Sequence, residues 1–150
     1  MDCPIRLALA DDAPHISAVV IAALRQSNAQ DYDARTIARI EASFNTTAVL
    51  EMLTRRVVWV AVIEGEVIAT ASLDHDVVRS VFVAPGHQQH GIGRQLMRHI
   101  EMQAIAHGVE GLRVPSSITA EGFYATLGYR KVRDEYHGGE RTIVMHKPLR

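Results

Sequence analysis

Positions 81–94 read Val-Phe-Val-Ala-Pro-Gly-His-Gln-Gln-His-Gly-Ile-Gly-Arg, an apolar run, a Pro-Gly turn and a glycine-bearing loop that opens into a helical pattern. Such a loop leaves the first N–H groups of the helix unpaired and facing outward, with the positive end of the helix dipole behind them. Gly91 and Gly93 carry no Cβ to hold a bulky anion away from the main chain. The chemistry offered is recognition of a pyrophosphate by the main chain around Gly91 and Gly93.

Spacing narrows the ligand. A dinucleotide fingerprint needs a third glycine three residues after the second, and Gly93 is followed by Arg94, Gln95 and Leu96. A Walker loop needs Gly-Lys-Ser or Gly-Lys-Thr, which this chain lacks. What does match is Gln-x-x-Gly-x-Gly at Gln88, Gly91 and Gly93, after an apolar strand ending Val-x-Pro. This resembles the acetyl-CoA-binding motif of the GCN5-related N-acetyltransferases. A second match follows about thirty residues on. Phe123-Tyr124 and Leu127-Gly128-Tyr129 stand as in that family, and Ser117 occupies its usual Asn position after the strand Leu112-Arg113-Val114.

The resemblance implies direct transfer of an acetyl group from acetyl-CoA to a primary amine, of a small molecule or a peptide, in a ternary complex. It also implies a bulge that splays the central strand and frees main-chain groups of Val81, Phe82 and Val83 for the pantetheine arm and thioester. Fixed dipoles of this kind reorganise little as charge develops. On the same resemblance Gln88, Gln89, His90, Gly91, Ile92, Gly93, Arg94, Ser117, Phe123 and Tyr124 form the cofactor site, a surface salt bridge being the alternative for Arg94. Tyr124, from its place in Phe-Tyr, is the candidate general acid toward the departing thiolate, a phenol of pKa about 10 being a suitable donor.

The base is less plain. Many relatives carry a glutamate on the central strand, whereas positions 77–83 hold no carboxylate. The nearest ionisable groups are Asp74, His75 and Asp76 in the preceding turn. His75 has a pKa suited to a base near neutrality, and Asp76 offers relay through water; a simply solvated turn is the alternative. A tyrosine, or a backbone carbonyl with water, would also serve. For the acceptor, Tyr32 and Phe44 fall in the segment that covers that site in the family, and Asp134 and Glu135 lie in the last hairpin, where they would suit a cationic amine. No His or Cys pair has metal-ligand spacing, so no metal is expected.

The elements that must position these residues follow from periodicity and turn chemistry. Alternation at 5–9 predicts a strand, and Asp11 or Asp12 is placed to cap a helix running to about Ser27 with Pro14 in its first turn. Helical segments are expected at 33–43 and 46–54, and a hairpin at 57–63 and 67–73 around Glu64-Gly65-Glu66. The central strand spans 77–83, and the main helix spans 93–107 with Leu96, Ile100 and Ala104 on one line and Gly108 as its stop. After the Phe-Tyr helix, 130–136 and 142–145 form a second hairpin around Gly138-Gly139.

The fold expected is α+β, one domain over residues 1–150, with a mostly antiparallel mixed sheet whose central strand is splayed, flanked by helices. The chain's length is enough for a real core. Hydrophobic residues at 47% with 22% charged are ordinary for a globular protein, and a net charge of −1 gives no electrostatic case for nucleic acid or an anionic membrane. The single cysteine, Cys3, excludes an intrachain disulfide. With no apolar leader and no long apolar run, the expected location is the cytoplasm, with no membrane partner. An edge strand in the last hairpin leaves a homodimer open. The competing function is a non-catalytic acyl-CoA-binding or regulatory module that has kept the cofactor cleft.

Overall fold

Apolar runs and caps set the elements. The computed structural model of the chain describes residues 3–88, 90–138 and 140–149. The first half holds strand β1 (Ile5–Leu7), helices α1 (Ala13–Ala23), α2 (Ala34–Ala42) and α3 (Thr46–Arg55), then strands β2 (Val57–Ile63) and β3 (Glu66–Asp74). The second half holds β4 (Val77–Val83), α4 (Ile92–Ala106), β5 (Gly111–Ser116), α5 (Glu121–Thr126), β6 (Arg130–His137) and β7 (Glu140–Pro148).

Local chemistry accounts for most boundaries. Asp33 caps α2 by accepting from the Thr36 N–H at 2.7 Å, and Asn45 caps α3 by accepting from Ala48 N–H at 2.8 Å. Gly108, at φ +80°, ends α4. The expected cap of α1 by Asp11 or Asp12 is not formed. Asp12 instead turns back to Arg6, at 2.7 and 3.0 Å, and accepts from the Leu9 N–H at 2.7 Å. Beyond Ala23 the helix widens into a π-type turn at Leu24–Asn28. Strand β7 runs well past the expected 142–145 at both ends, because it pairs with β5 on one side and β6 on the other; pairing on both edges holds in place residues with weak strand preference of their own.

The strands form one sheet in the order β1-β2-β3-β4-β5-β7-β6. Every neighbouring pair is antiparallel except β4 and β5. One face packs on α4 and α5 through Leu96, Ile100, Leu112 and Tyr129, and the other on α1 and α3 through Ile16, Val20, Val49 and Val60. Among the described residues no helix is long and apolar enough to cross a membrane.

Two irregularities of β4 create the site. Its parallel pairing to β5 is confined to Val77 opposite Arg113, so the two strands diverge beyond that point. On the other edge, Thr70 pairs with Phe82 but Ser72 with Arg79, so Ser80 and Val81 together oppose Ala71. This is a bulge, and Ser80 takes φ +58° to make it. The mixed sheet with a splayed central strand is thus present.

Candidate active site

The divergence of β4 from β5 opens a cleft of about 670 Å³. Val81, Phe82 and Val83 line it from β4, Val114 to Ser116 from β5, and Phe123 and Tyr124 from α5. Gly91, Gly93 and Arg94 close one end, while Leu24, Tyr32, Ile40 and Phe44 wall the side formed by the first three helices. Beyond Val77 the β5-facing edge of β4 has no strand partner among the described residues, so its main chain is available to a ligand.

The glycine loop has the geometry its sequence predicts. Gly91 sits at φ +72° immediately before α4, where a side-chain cap is absent. The first bond within the helix is donated by the Gln95 N–H to the Gly91 carbonyl at 3.0 Å, which leaves the N–H groups of Ile92, Gly93 and Arg94 without helical acceptors. A Cβ at Gly91 would meet nothing within 4 Å, so the space above the main chain is open. Gly93 has a different task. A Cβ there would lie 3.1 Å from Cζ of Phe123, so its absence lets that ring lie against the helix. Backbone donors, free space and the Arg94 charge together suit a pyrophosphate.

Not every predicted member of the loop reaches the cleft with its side chain. Ile92 is buried in the core beneath α4, and His90 does not line the cavity. Gln88 does line it, and its amide donates to the Val83 carbonyl at 3.2 Å, bracing the strand end. Gln89 lies outside the described residues.

Tyr124 is only 4% exposed and stands in edge contact with Phe123 and Tyr129, at ring separations of 5.1 and 5.9 Å. Burial raises its pKa far above that of a free phenol, so the group stays protonated and is a weaker acid than the ordinary phenol expected at this position. Tyr129, of the Gly-Tyr pair, is structural: its hydroxyl donates to Glu101 at 2.9 Å, and Lys147 reaches the same carboxylate at 3.0 Å. Ser117 lines the cleft while its Oγ accepts from the Ala120 N–H at 3.2 Å.

Neither candidate base is brought to the cleft. His75 and Asp76 occupy the β3–β4 turn, at the end of β4 remote from the glycine loop, and neither lines the cavity. The His75 ring is 93% exposed and contacts Asp74 at 2.9 Å, while Asp76 lies 3.9 Å from Arg113. Asp134 and Glu135 are likewise absent from the lining, because β6 is the outermost strand. Lys131 and Arg141 neutralise Asp134 at 2.9 and 3.1 Å, and Arg133 holds Glu135 at 2.7 Å. Those partners keep both carboxyls below the usual range.

Three charged residues that sequence reasoning passed over do line the cleft: Glu140, Arg56 and Arg79. Glu140 is the one carboxylate among the described lining residues, and it meets Arg39 at 3.4 Å. Its position, first in a strand after a glycine turn, was the available signal, but only the order of β5, β7 and β6 says which end of that strand faces the cleft.

Comparison with known proteins agrees with this geometry. Residues 28–147 match the family model described as the acetyltransferase (GNAT) domain. A GCN5-related N-acetyltransferase from Rhodopseudomonas palustris superposes with a TM-score of 0.93 at 24% identity, over 99% of this chain and 96% of that one. PaiA N-acetyltransferase from Thermoplasma acidophilum, solved with coenzyme A, gives 0.85 at 17% identity over 99% of both chains. An aminoglycoside 6'-N-acetyltransferase, also solved with coenzyme A, gives 0.67 at 14% identity over 97% of both.

Proposed function

Since the chain belongs to the GNAT family of acetyltransferases, we propose that its 150 residues act as one domain that moves an acetyl group from acetyl-CoA directly to a primary amine in a ternary complex. The observation that carries this is a single cleft lined both by the glycine loop and by Tyr124.

Acetyl-CoA supplies an activated acetyl group, and this chain's residues bind, polarise and move protons. The free N–H groups that open α4, with the open face of Gly91 and the Arg94 charge, take the pyrophosphate. The main chain of Val83, on the unpaired edge of β4, polarises the thioester carbonyl, while that of Phe82 faces β3. The acceptor nitrogen attacks the carbonyl carbon and the carbon–sulfur bond breaks. The Tyr124 Oη gives its proton to the departing sulfur. The proton lost by the acceptor passes to Glu140, directly or through water, in the role first sought at His75 and Asp76. The phenol is then reprotonated from solvent. We place this activity in the cytoplasm.

The test is calorimetric titration with acetyl-CoA, beside a Gly91→Glu variant that fills and repels the cradle, followed by thiol release with amines. Saturable binding lost in the variant, with amine-dependent thiol release, is the expected result. Binding without thiol release from any amine would instead identify a non-catalytic acyl-CoA-binding module. A folded native chain that binds no acetyl-CoA would overturn the proposal.

A further inference from the structure

The end of the cleft away from the glycine loop is built of arginine. Arg79 precedes Val83 by four residues, roughly 13 Å of extended strand, and so lies well away from the pyrophosphate end. Arg56 closes α3, its N–H bonded to the Met52 carbonyl at 3.0 Å, and its side chain enters the same cavity. Of the five donors on that guanidinium, one is used among the described residues: Nη1 donates to Ser80 Oγ at 3.2 Å. That hydroxyl belongs to the bulge residue held at φ +58°, so the guanidinium is anchored where the strand is most distorted. Arg56 has no ion-pair partner among the described residues, and Arg79 meets Asp74 only at 3.5 Å. Burial and the neighbouring Arg79 lower the pKa of Arg56 more than the Asp74 carboxylate raises it, as for a partly desolvated cation beside another cation.

Resting on the acetyltransferase reading above, we propose that the acceptor is a small amine bearing a carboxylate, of the amino-acid type, and that Arg56 and Arg79 bind that carboxylate while Glu140 faces the amine. A planar guanidinium with free donors matches a carboxylate bidentately. The charge order also fits: Arg79 on β4 and Arg56 at the end of α3, with one carboxylate on β7, complement a zwitterion. A polycationic acceptor is disfavoured, because Asp134 and Glu135 lie outside the cleft and Glu140 is the one carboxylate among the described lining residues. The acceptor is small because the same 670 Å³ must also admit the pantetheine arm.

Thiol release at saturating acetyl-CoA is measured for a panel of α-amino acids, their carboxamides and a polyamine, with the native enzyme, Arg56→Gln, Arg79→Gln and the double variant. We expect kcat/KM for an amino acid to exceed that of its carboxamide at least tenfold. The double variant lowers kcat/KM for the amino acid at least tenfold more than for its carboxamide, so the preference disappears. Equal use of acid and amide by the native enzyme, preference for the polyamine, or equal loss for both acceptors in the variants would each overturn the proposal. Should no acceptor turn over, the CoA-saturated protein is titrated with the amino acids by calorimetry. Binding lost in the double variant supports the carboxylate site, and absence of binding overturns it. Loss of acetyl-CoA binding by the native protein would bring down the acetyltransferase reading itself, and this proposal with it.

Discussion

The hydroxyl oxygen of Tyr32 accepts a hydrogen bond from the backbone N–H of Ile118 at 2.8 Å, joining residues 86 positions apart in the chain. The connection between α1 and α2 is thereby strapped to the loop between β5 and α5, across the cleft that both line. Thr119 Oγ1 adds a second tie by donating to Asp31 at 2.7 Å. Tyr32 is thus a wall of the acceptor side and also a fastening of its cover. Burial raises its pKa, which keeps the hydroxyl neutral.

Replacing Tyr32 by Phe keeps the ring and removes the acceptor, leaving the Ile118 N–H unpaired. The expected cost is about 1 kcal/mol of stability, read from urea unfolding. Because the strap covers the acceptor side, KM for the amine should rise several-fold with acetyl-CoA affinity unchanged. An unaltered KM would reduce the strap to a purely structural tie.

Tyr124→Phe separates proton donation from packing. Its ring contacts to Phe123 and Tyr129 survive, so folding and acetyl-CoA affinity should hold, while kcat falls on the order of 100-fold. The pH dependence has a definite sign. A phenol held protonated by burial is in its donating form below its raised pKa, so Tyr124 contributes no alkaline loss of kcat up to about pH 10. An unchanged kcat in the variant would remove Tyr124 from the mechanism.

Gly93→Ala probes the contact between α4 and α5. The added Cβ would sit 3.1 Å from Cζ of Phe123, so the Phe123 ring must give way, and Tyr124 moves with it on the same short helix. The expected outcome is a protein that still folds, with kcat reduced more than acetyl-CoA affinity. Calorimetry beside steady-state kinetics checks the split. The opposite pattern, affinity lost and kcat kept, would mean that Gly93 serves the phosphates rather than the aromatic pair.

The parts of this molecule legible in its residues are those governed by local rules. The Glu64-Gly65-Glu66 turn between apolar runs marked β2 and β3, the Leu96–Ile100–Ala104 line marked α4, and Gln88, Gly91 and Gly93 marked the cleft end. The bulge was implied only by family resemblance, since its distorted residue is a serine at φ +58° and not a glycine. Charge misled where topology decides. Asp76, Asp134 and Glu135 are acidic residues in turns and on an edge strand, and nothing local states which end of a strand opens on the cleft. Glu140 and Arg56 reach it because β7 lies beside β5 and because α3 ends near the bulge, both facts of long-range pairing. Asp12 shows the same limit: its type suits a helix cap, but Arg6 on β1 claims it.

That Arg6–Asp12 pair gives the last prediction. Arg6 meets both oxygens of Asp12, at 2.7 and 3.0 Å, and the Leu9 N–H donates to the same carboxylate at 2.7 Å. The Arg6 hydrogen bonds, and after them the Leu9 N–H, hold the carboxyl below its ordinary value despite burial. A carboxyl whose folded pKa is depressed contributes stability above its unfolded value, about 3.9. That contribution is lost as pH falls from there through the lower folded value. Asp12→Asn keeps the size but discards the charge, so it should be less stable than the native chain near neutrality. The gap should hold down to about pH 5 and close only as pH falls from about 4 through the lower folded value. Urea unfolding of both proteins along that range checks this, and a gap independent of pH would mean that the Leu9 hydrogen bond, not the ion pair, ties β1 to α1.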